Sequence, residues 1–401
     1  MSQDQDPVVI VSAARTPIGA MLGALSGLPA TELGGIAIKA AVERAGIKPE
    51  QVQEVLMGCV LPAGQGQAPA RQATLKAGLP LSAGASTLNK VCGSGMKTVM
   101  LAHDLLKAGS QDVIVAGGME SMSNAPYLVA KGRTGYRYGH GTLFDHMALD
   151  GLEDAYEKMP NGGGKSMGVF GEMCAGKYSF SREEQDAFSI ESSRRARTAN
   201  EDGSFQWEIA PVTIAGKKGD TVVDKDESPF KVDPTKIPKL RPAFAKDGTI
   251  TAATSSSISD GAAALVLMRR STADKLGLKP IATIVAHATH SQEPEWFTTA
   301  PVGAIEKLYK KTGWSTDTVD LFEINEAFAV VTMAAMKDHN IPHEKVNVHG
   351  GAVALGHPIG ASGARVIVTL LGALKKTGGK RGVASLCIGG GEATAIAVEM
   401  A

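Results

Sequence analysis

The chain has 401 residues, of which 43% are hydrophobic and 20% are charged, a balance typical of a folded protein with two or three domains. Its 41 basic residues equal its 41 acidic residues, which excludes a general electrostatic attraction to nucleic acid or to a membrane surface. The four cysteines are widely spaced and fit no metal-ligand pattern, so we expect free thiols in a reducing compartment.

The first 120 residues alternate strand-like and helix-like segments, which favours an α/β architecture with buried strands. Strands are predicted over residues 8–12, 52–60 and 112–116, the last of them ending in Gly-Gly-Met-Glu at 117–120. One helix is predicted over residues 31–45, with Thr31 as its N-cap and Gly46 as its stop. A second helix is predicted from Ser94 to Gly109.

The composition of the sequence changes between residues 121 and 249, which are rich in Gly, Tyr, Lys and Pro and have few periodic hydrophobic runs. This stretch is predicted to be a large inserted loop domain. One helix is expected from Arg182 to about residue 199, because Ser181 and Glu184 form a capping-box pattern at its start. A further strand is predicted over residues 260–268.

The sequence also contains an internal repeat. Ser94-Gly95 begins a helix and a strand that lead to Gly-Gly-Met-Glu at 117–120. Ser362-Gly363 begins a second such unit, with a helix over 366–376, a strand over 382–388 and Gly-Gly-Gly-Glu at 389–392. A duplicated α/β unit explains this better than a chance likeness of Gly-rich turns. Two such halves could place their loops around one shared cleft.

Cys92 lies in the sequence Asn-Lys-Val-Cys-Gly-Ser-Gly at 89–95, directly before a predicted helix. The positive end of the helix dipole favours a thiolate there, and a thiolate is the nucleophile that forms a thioester with an acyl group. The alternative is a buried, inert cysteine in a Gly-rich turn. Possible partners in the second half of the chain favour the functional interpretation.

Those partners lie in three clusters, over residues 323–329, 350–360 and 385–391. His357 stands in a Gly-rich turn before a helix, where its imidazole can reach a cleft, although a lone histidine of this kind is more often structural. Cys387 ends a strand before three glycines whose N–H groups are free to donate. A Cys–His pair can produce a thiolate, a second Cys can act as acid and base, and backbone N–H groups can stabilise an oxyanion.

These motifs, in this order and over essentially the whole chain, resemble those of the thiolase family, as do residues 8–16 and 118–123. The resemblance implies an α/β thiolase fold in which two duplicated halves are stacked as five layers, αβαβα. It further implies an N-terminal half over residues 1–120 that is completed by about 250–272. An inserted loop domain over 121–249 would cover the active site and bind CoA, and a C-terminal half would span 273–401.

The resemblance implies acetyl-CoA C-acetyltransferase activity, a ping-pong Claisen condensation of two acetyl-CoA to acetoacetyl-CoA and CoA, together with the reverse thiolysis. Cys92 would take the acyl group, and His357 would accept its proton and, with Asn325, hold a thioester oxygen. Cys387 would move the α-proton of the second acetyl group. The backbone N–H groups of Cys92 and Gly389 would form the other oxyanion hole.

CoA would be a substrate and not a permanently bound cofactor, and its phosphates need a local basic surface. Residues 231–246 are the obvious basic strip, with a solvated Lys-rich loop as the alternative. By resemblance, the CoA-binding residues are Lys231, Lys236, Phe244, Ala252, Ser256, Met167, Ala327 and Phe328. Ser166 and Phe297 depart from some family members and leave the acyl preference open. The sequence leaves a metal requirement undetermined.

A broader-range 3-ketoacyl-CoA thiolase of fatty-acid degradation is the alternative enzyme, and a non-catalytic CoA-binding or assembly subunit is the alternative of another class. A nicotinamide dehydrogenase is disfavoured because no Gly-x-Gly-x-x-Gly follows the first strand. The family resemblance implies a homo-oligomer, either a dimer or a dimer of dimers. We expect no nucleic-acid or membrane partner. The acidic, polar N-terminus has no signal-like layout, so a cytoplasmic location is expected.

Overall fold

The computed structural model describes residues 6–158 and 163–401. The first part of the chain supplies most of one half of a large sheet, together with the helices that pack on that half. The strands are β1 (Val8–Arg15), β2 (Gly19–Ala20), β3 (Glu54–Gly58), β4 (Gly84–Leu88) and β5 (Val113–Ser121). The helices are α1 (Ala30–Ala45), α2 (Pro69–Lys76) and α3 (Ser94–Lys107).

The middle of the chain contains short strands that pair as three separate hairpins, β6 with β7, β8 with β9 and β10 with β11. These strands are β6 (Tyr127–Leu128), β7 (Phe144–Asp145), β8 (Glu153–Lys158), β9 (Gly164–Ser166), β10 (Val212–Ile214) and β11 (Thr221–Val223). The helices are α4 (Met167–Tyr178) and α5 (Arg182–Glu201). Both halves of the predicted capping box are formed at α5, since Ser181 N–H donates to Glu184 Oε2 at 2.7 Å and Glu184 N–H donates to Ser181 Oγ at 3.1 Å.

The last part of the chain returns to long strands. They are β12 (Ser259–Arg269), β13 (Ala282–Ser291), β14 (Leu321–Ile324), β15 (Arg381–Ile388) and β16 (Glu392–Met400). The helices are α6 (Arg270–Lys275), α7 (Ala300–Thr312), α8 (Ala329–His339), α9 (Ala352–Leu355) and α10 (Ile359–Thr377).

The main sheet repeats one strand pattern twice. Its order is β4-β3-β5-β12-β1-β13-β16-β15-β14, with β2 paired to β12. In the first half, β3 is parallel to β5, and β5, β12 and β1 follow antiparallel; in the second half, β14 is parallel to β15, and β15, β16 and β13 follow antiparallel. The halves join at β1 and β13 through only two residue pairs, Val9 with Thr283 and Ile10 with Ala282. The matching order and directions support the duplication predicted from the sequence.

Three apolar clusters define five layers. Val8 and Ile10 of β1 face a central cluster that contains the buried sides of α3 and α10. Val9 and Val11 face the opposite way, into a cluster with α1 and α2, as the alternation of side chains along a strand requires. A third cluster packs α7 and α8 against the outer side of β14–β16. The layers are helices, sheet, helices, sheet and helices, which is the predicted αβαβα order.

Helices α3 and α10 are in backbone contact within the central layer. A Cβ added to Gly95 of α3 would lie 2.7 Å from the backbone nitrogen of Ala364, and one added to Gly363 of α10 would overlap the backbone nitrogen of Met96. Both glycines belong to the repeated Ser-Gly motif. The glycines of the repeated motif are therefore needed for the packing of α3 against α10, in addition to reflecting the duplication.

Some element boundaries differ from the sequence predictions. Thr31 is not the N-cap of α1: that position is Pro29, which has no side-chain cap, and Thr31 is buried in the first turn. Gly46 does end the helix, with φ at 68°. The Gly-Gly-Met-Glu segment lies inside β5, where it pairs with β12 as far as Ser121. Helix α10 begins at Ile359, seven residues before the predicted start at 366.

Within the described ranges, no helix combines the length and the apolar character needed to cross a bilayer.

Two glycine-to-alanine changes should have opposite effects on stability, although both lie in helices, where alanine is intrinsically favoured. Gly363→Ala should lower the free energy of unfolding by about 1–3 kcal/mol, because the new methyl group overlaps the backbone of α3. Gly176→Ala is the matched control: apart from its chain neighbours and the backbone of its own helix, no described atom lies within 4 Å of its added Cβ. It should raise stability by about 0.5–1 kcal/mol. Denaturant unfolding measures both, and equal effects of the two changes would contradict the close approach of α3 and α10.

Candidate active site

One cavity of about 240 Å³ brings together the turn before α3, the turn before α10 and the turn after β15. Of the residues that the sequence singled out as candidates, it is lined by Cys92, His357, Gly389, Met167, Phe244, Ser256, Ala327 and Phe328, and also by Ser166 and Phe297. The lining is mostly apolar and has few polar groups, as in most small-molecule sites.

The turn that carries Cys92 is held by several contacts. Val91 has φ at 45°, which is an outlier for a β-branched residue and indicates local strain. Ser94 Oγ donates to Val91 O at 2.7 Å and accepts from Lys90 N–H at 2.9 Å. Lys90 Nζ pairs with Glu392 Oε2 at 2.6 Å, so the second half of the chain anchors the turn of the first half.

The Cys92 thiol is half-buried and receives hydrogen bonds from the backbone N–H groups of Gly389 and of Cys92 itself. Burial raises the pKa of Cys92 to about 11, and the two N–H donors offset only part of this effect. The sequence predicted a thiolate stabilised by the helix dipole. The structure differs, since desolvation keeps the free cysteine protonated at neutral pH. A base is therefore needed to activate it.

His357 lines the same cavity, and its hydrogen bonds define which ring nitrogen carries the hydrogen. Ser362 Oγ donates to Pro358 O at 3.0 Å, so it has no hydrogen left for His357 Nδ1, which lies 2.6 Å away. Nδ1 must then carry the hydrogen and donate it to Ser362, which leaves a lone pair on Nε2. Among the described residues, Nε2 is buried and has no hydrogen-bond partner. Burial, with a smaller effect from the charge of Arg365, lowers the pKa of His357 to about 3, so the imidazole is neutral.

Gly389 reaches the thiol because of an unusual turn between β15 and β16. Gly390 and Gly391 have φ values of 92° and 85°, which only glycine adopts readily. A Cβ on Gly391 would lie 2.8 Å from the carbonyl oxygen of Glu293. The triple glycine thus allows the chain to reverse tightly and to direct the Gly389 N–H at Cys92.

Cys387 and Asn325 lie behind the cavity wall and do not line it. Cys387 is fully buried in β15, beside Phe297 and Phe328 in one apolar cluster. Burial, and to a smaller extent the charge of Cys92, raises the pKa of the Cys387 thiol well above its usual range. Asn325 is also fully buried, and its Nδ2 has no partner in the described part of the chain.

The predicted CoA-binding residues divide into two groups. Those that line the cavity include Phe244 and Phe328, whose rings meet edge to face at 5.9 Å. Lys231, Lys236 and Ala252 lie outside the lining. Lys231 Nζ pairs with Glu227 at 2.5 Å and Lys236 Nζ lies 3.6 Å from Asp233, both on exposed parts of the loop segment. A phosphate would have to compete with these carboxylates.

Donor atoms spaced for a metal ion occur at His103, Asp104 and His287, on α3 and β13 and outside the cavity lining. Both imidazoles contact Asp104 Oδ1, at 3.0 Å and 2.9 Å, and these hydrogen bonds account for the arrangement. The other two cysteines, Cys59 and Cys174, are buried; Cys59 Sγ lies 3.6 Å from Glu120 Oε1 and Cys174 Sγ lies 3.8 Å from Val330 O.

Glu120 fixes the turn before α10 from the other half of the chain. Its buried carboxylate accepts hydrogen bonds from the backbone N–H groups of Val60, Leu61 and Gly360, at 2.9, 3.1 and 2.9 Å. Because these donors satisfy it, a carboxylate can stand inside the buried strand β5, although burial raises the pKa of Glu120 to about 7.

Sequence reasoning missed several residues of the site. Ser362 was noted only as part of the repeat, although its position five residues after His357 at a helix start is a usable signal. No sequence feature singled out Arg365, since its contacts with other residues depend on how the chain packs. The other lining residues are Val91, Met122, Gly151, Leu152, Gly168, Ser255, Ser257, Ile258 and Ile359.

Known proteins match this chain over nearly its whole length. The thiolase N-terminal domain model matches residues 8–271 and the thiolase C-terminal domain model matches residues 278–400. Acetyl-CoA acetyltransferase 2 of Arabidopsis thaliana is 52% identical, over 98% of this chain and 97% of the relative. Acetyl-CoA acetyltransferase of Chromobacterium violaceum is 50% identical, over 98% and 99%. The crystal structure of Acat5 thiolase from Ascaris suum in complex with coenzyme A has a TM-score of 0.92 at 41% identity, and the match covers 98% of this chain and 100% of that one.

Ser362→Ala should slow the alkylation of Cys92 by iodoacetamide at neutral pH by about tenfold, because His357 would lose the acceptor that fixes Nδ1–H and leaves Nε2 free as a base. Peptide mass spectrometry measures the rate at Cys92. Ser189→Ala is the matched control, since Ser189 is also buried and donates to a carbonyl four residues back, at 3.0 Å. Equal rates in the two variants would show that Ser362 does not set the state of His357.

Proposed function

The chain belongs to the thiolase family and is therefore an acyltransferase, and from this premise we propose that it is an acetyl-CoA C-acetyltransferase. It joins two acetyl-CoA to give acetoacetyl-CoA and CoA, and it carries out the reverse thiolysis. The observation that carries the proposal is the unpartnered Nε2 of a neutral His357 in the same cavity as the protonated thiol of Cys92.

The first half-reaction is acyl transfer to Cys92. His357 Nε2 takes the thiol proton as the sulfur attacks the thioester carbon, and the C–S bond to CoA breaks. The proton then passes to the departing CoA sulfur, so His357 returns to its neutral form. The negative oxygen that forms at the carbon is stabilised by N–H donors, for which Cys92 and Gly389 offer their backbone groups.

The second half-reaction forms the carbon–carbon bond. His357 Nε2 first takes the proton of the Cys387 thiol, which leaves a thiolate at Cys387 and an N–H donor at Nε2. The Cys387 thiolate takes a proton from the methyl group of a second acetyl-CoA, whose enolate oxygen is held by His357 Nε2–H and Asn325. The enolate carbon attacks the thioester on Cys92, the C–S bond to Cys92 breaks, and acetoacetyl-CoA leaves. The sulfur of Cys92 is then reprotonated from His357, which returns to its neutral form. The family premise supports this division of roles between the two cysteines.

The residues of the cavity wall favour a short acyl group on the substrate. Phe297 is buried, lines the cavity and packs edge to face on Phe170 at 6.0 Å. A rigid aromatic pair does not yield to a long chain without a cost in packing. Thiolysis of acetoacetyl-CoA should therefore exceed that of longer 3-ketoacyl-CoA, and a flat chain-length profile would favour the broader-range alternative.

The loop domain, over residues 121–249, would cover this site and bind CoA, and Ser166, Met167 and Phe244 already supply part of the cavity wall. A CoA thioester enters as substrate, with no permanently bound cofactor. We also propose a homo-oligomer, a dimer or a dimer of dimers. The partly exposed strand β4 lies at one end of the main sheet and is an edge that a second copy can cover. A cytoplasmic location completes the proposal.

Acetyl-CoA should add one acetyl mass to the peptide that contains Cys92. Cys387→Ala should still form this acetyl-enzyme, because Cys92 and His357 are intact. It should lose condensation and the exchange of acetyl-CoA methyl hydrogens with deuterated water, because no base remains for the methyl proton. Cys174→Ala removes a buried thiol from the same apolar cluster and serves as the control, with exchange retained. Acetylation only at another cysteine would refute the assignment of Cys92.

Replacing Lys231 and Lys236 together by Ala should raise KM for CoA in thiolysis several-fold and leave kcat nearly unchanged, because these charges contact CoA phosphates far from the reacting carbon. Raised salt should reproduce part of the effect by screening. The double variant Lys217→Ala with Lys218→Ala removes the same charge from another exposed part of the loop domain and should not change KM. The same KM in both double variants would mean that the phosphates bind elsewhere.

A further inference from the structure

We propose that Arg365 is a positioning residue that fixes the side-chain amide of Asn325 with its nitrogen toward the reacting thioester. The inference rests on the proposed function, since it concerns the donor that Asn325 offers to a thioester or enolate oxygen. Arg365 lies on α10, eight residues after His357, and is 2% exposed.

The geometry determines which end of the amide faces Arg365. Arg365 Nη1 donates to Glu323 Oε1 at 2.6 Å, and Nη2 donates to Asn325 Oδ1 at 3.3 Å. A guanidinium group only donates hydrogen bonds, so the atom of Asn325 that faces it must be the oxygen. The amide nitrogen then points away from Arg365, and in the described chain it is buried with no partner. An unpaired buried donor is costly unless a ligand or a water completes it.

The opposite orientation of the amide would be harmful to catalysis. With Oδ1 toward the substrate, Asn325 would present a lone pair to an oxygen that becomes negative, and the two would repel. The backbone of Asn325 is fixed separately, by its N–H bond to Ser385 O at 3.0 Å, so only the side-chain rotation needs a further restraint. Arg365 supplies that restraint through its Nη2.

Arg365 is itself held by a carboxylate. Glu323, on β14, is 1% exposed and pairs with Nη1. A lysine could not occupy this fork, because it has one charged nitrogen in place of three.

A purely structural role would make Arg365 a buried ion-pair partner of Glu323 and nothing more. The two roles differ in coupling: a positioning residue acts through Asn325, so its effect on the reaction should disappear when Asn325 is absent. A structural residue should lower stability and activity to the same extent with or without Asn325.

The test is a double-mutant cycle of Arg365→Lys and Asn325→Ala, with the exchange of acetyl-CoA methyl hydrogens with deuterated water and kcat for thiolysis of acetoacetyl-CoA as readouts. Arg365→Lys alone should lower both by about 10–100-fold with little change in KM, less than the roughly 100–1000-fold loss for removing an oxyanion donor itself. In the Asn325→Ala background, it should lower them by less than about threefold. Equal factors in the two backgrounds would overturn the inference.

Arg15→Lys is the matched control, since Arg15 is also a buried arginine between two carboxylates, Glu208 and Asp226, but has no contact with Asn325. Its effects should be the same with and without Asn325→Ala. If Arg365→Lys does not fold, Glu323→Gln replaces it in the cycle, because it loosens Arg365 and should show the same loss of effect; additive behaviour there would also overturn the inference. If Asn325→Ala leaves the rates unchanged, both the proposed role of Asn325 and this inference are wrong. If Asn325→Ala is slow and Arg365→Lys lowers the rates by the same factor with and without it, only this inference is wrong.

Discussion

The structure depends on the backbone contact between α3 and α10 at Gly95 and Gly363. Cys92 precedes the first helix and His357 precedes the second, so the contact between the helices also brings these two residues to one cavity. A side chain at either glycine would separate the two turns. The ion pair of Lys90 with Glu392 and the hydrogen bond from Gly360 N–H to Glu120 reinforce the same junction, and each joins the two halves of the chain.

Burial determines the protonation state of the resting site. Desolvation keeps Cys92 as a thiol and His357 as a neutral imidazole, so no charge is stored in the cavity before a substrate arrives. Two backbone N–H groups and one unpartnered ring nitrogen are directed at positions where charge will appear. This is electrostatic preorganisation, in which fixed dipoles replace the solvent that would otherwise have to reorient.

The sequence predicted the fold and many of the residues that line the cavity, because both depend on local patterns: strand periodicity, Gly-rich turns and the order of motifs. It placed Thr31 at an N-cap and ended β5 early, since neither the effect of Pro29 nor the three donors that satisfy Glu120 can be seen locally. It did not anticipate the desolvation that raises the pKa of Cys92, because this burial comes from distant segments of the chain. Ser362 and Arg365 were missed for the same reason, since a hydrogen-bond chain exists only after α10 is docked.

The influence of Cys92 on Cys387 has a consequence for the order of events. A negative sulfur at residue 92 raises the pKa of the second thiol, which burial already places well above its usual range. The two buried thiols therefore favour at most one anion between them. Under the proposed mechanism, an acetyl group on Cys92 makes its sulfur unable to ionise, so that Cys387 loses its proton without a competing anion on Cys92.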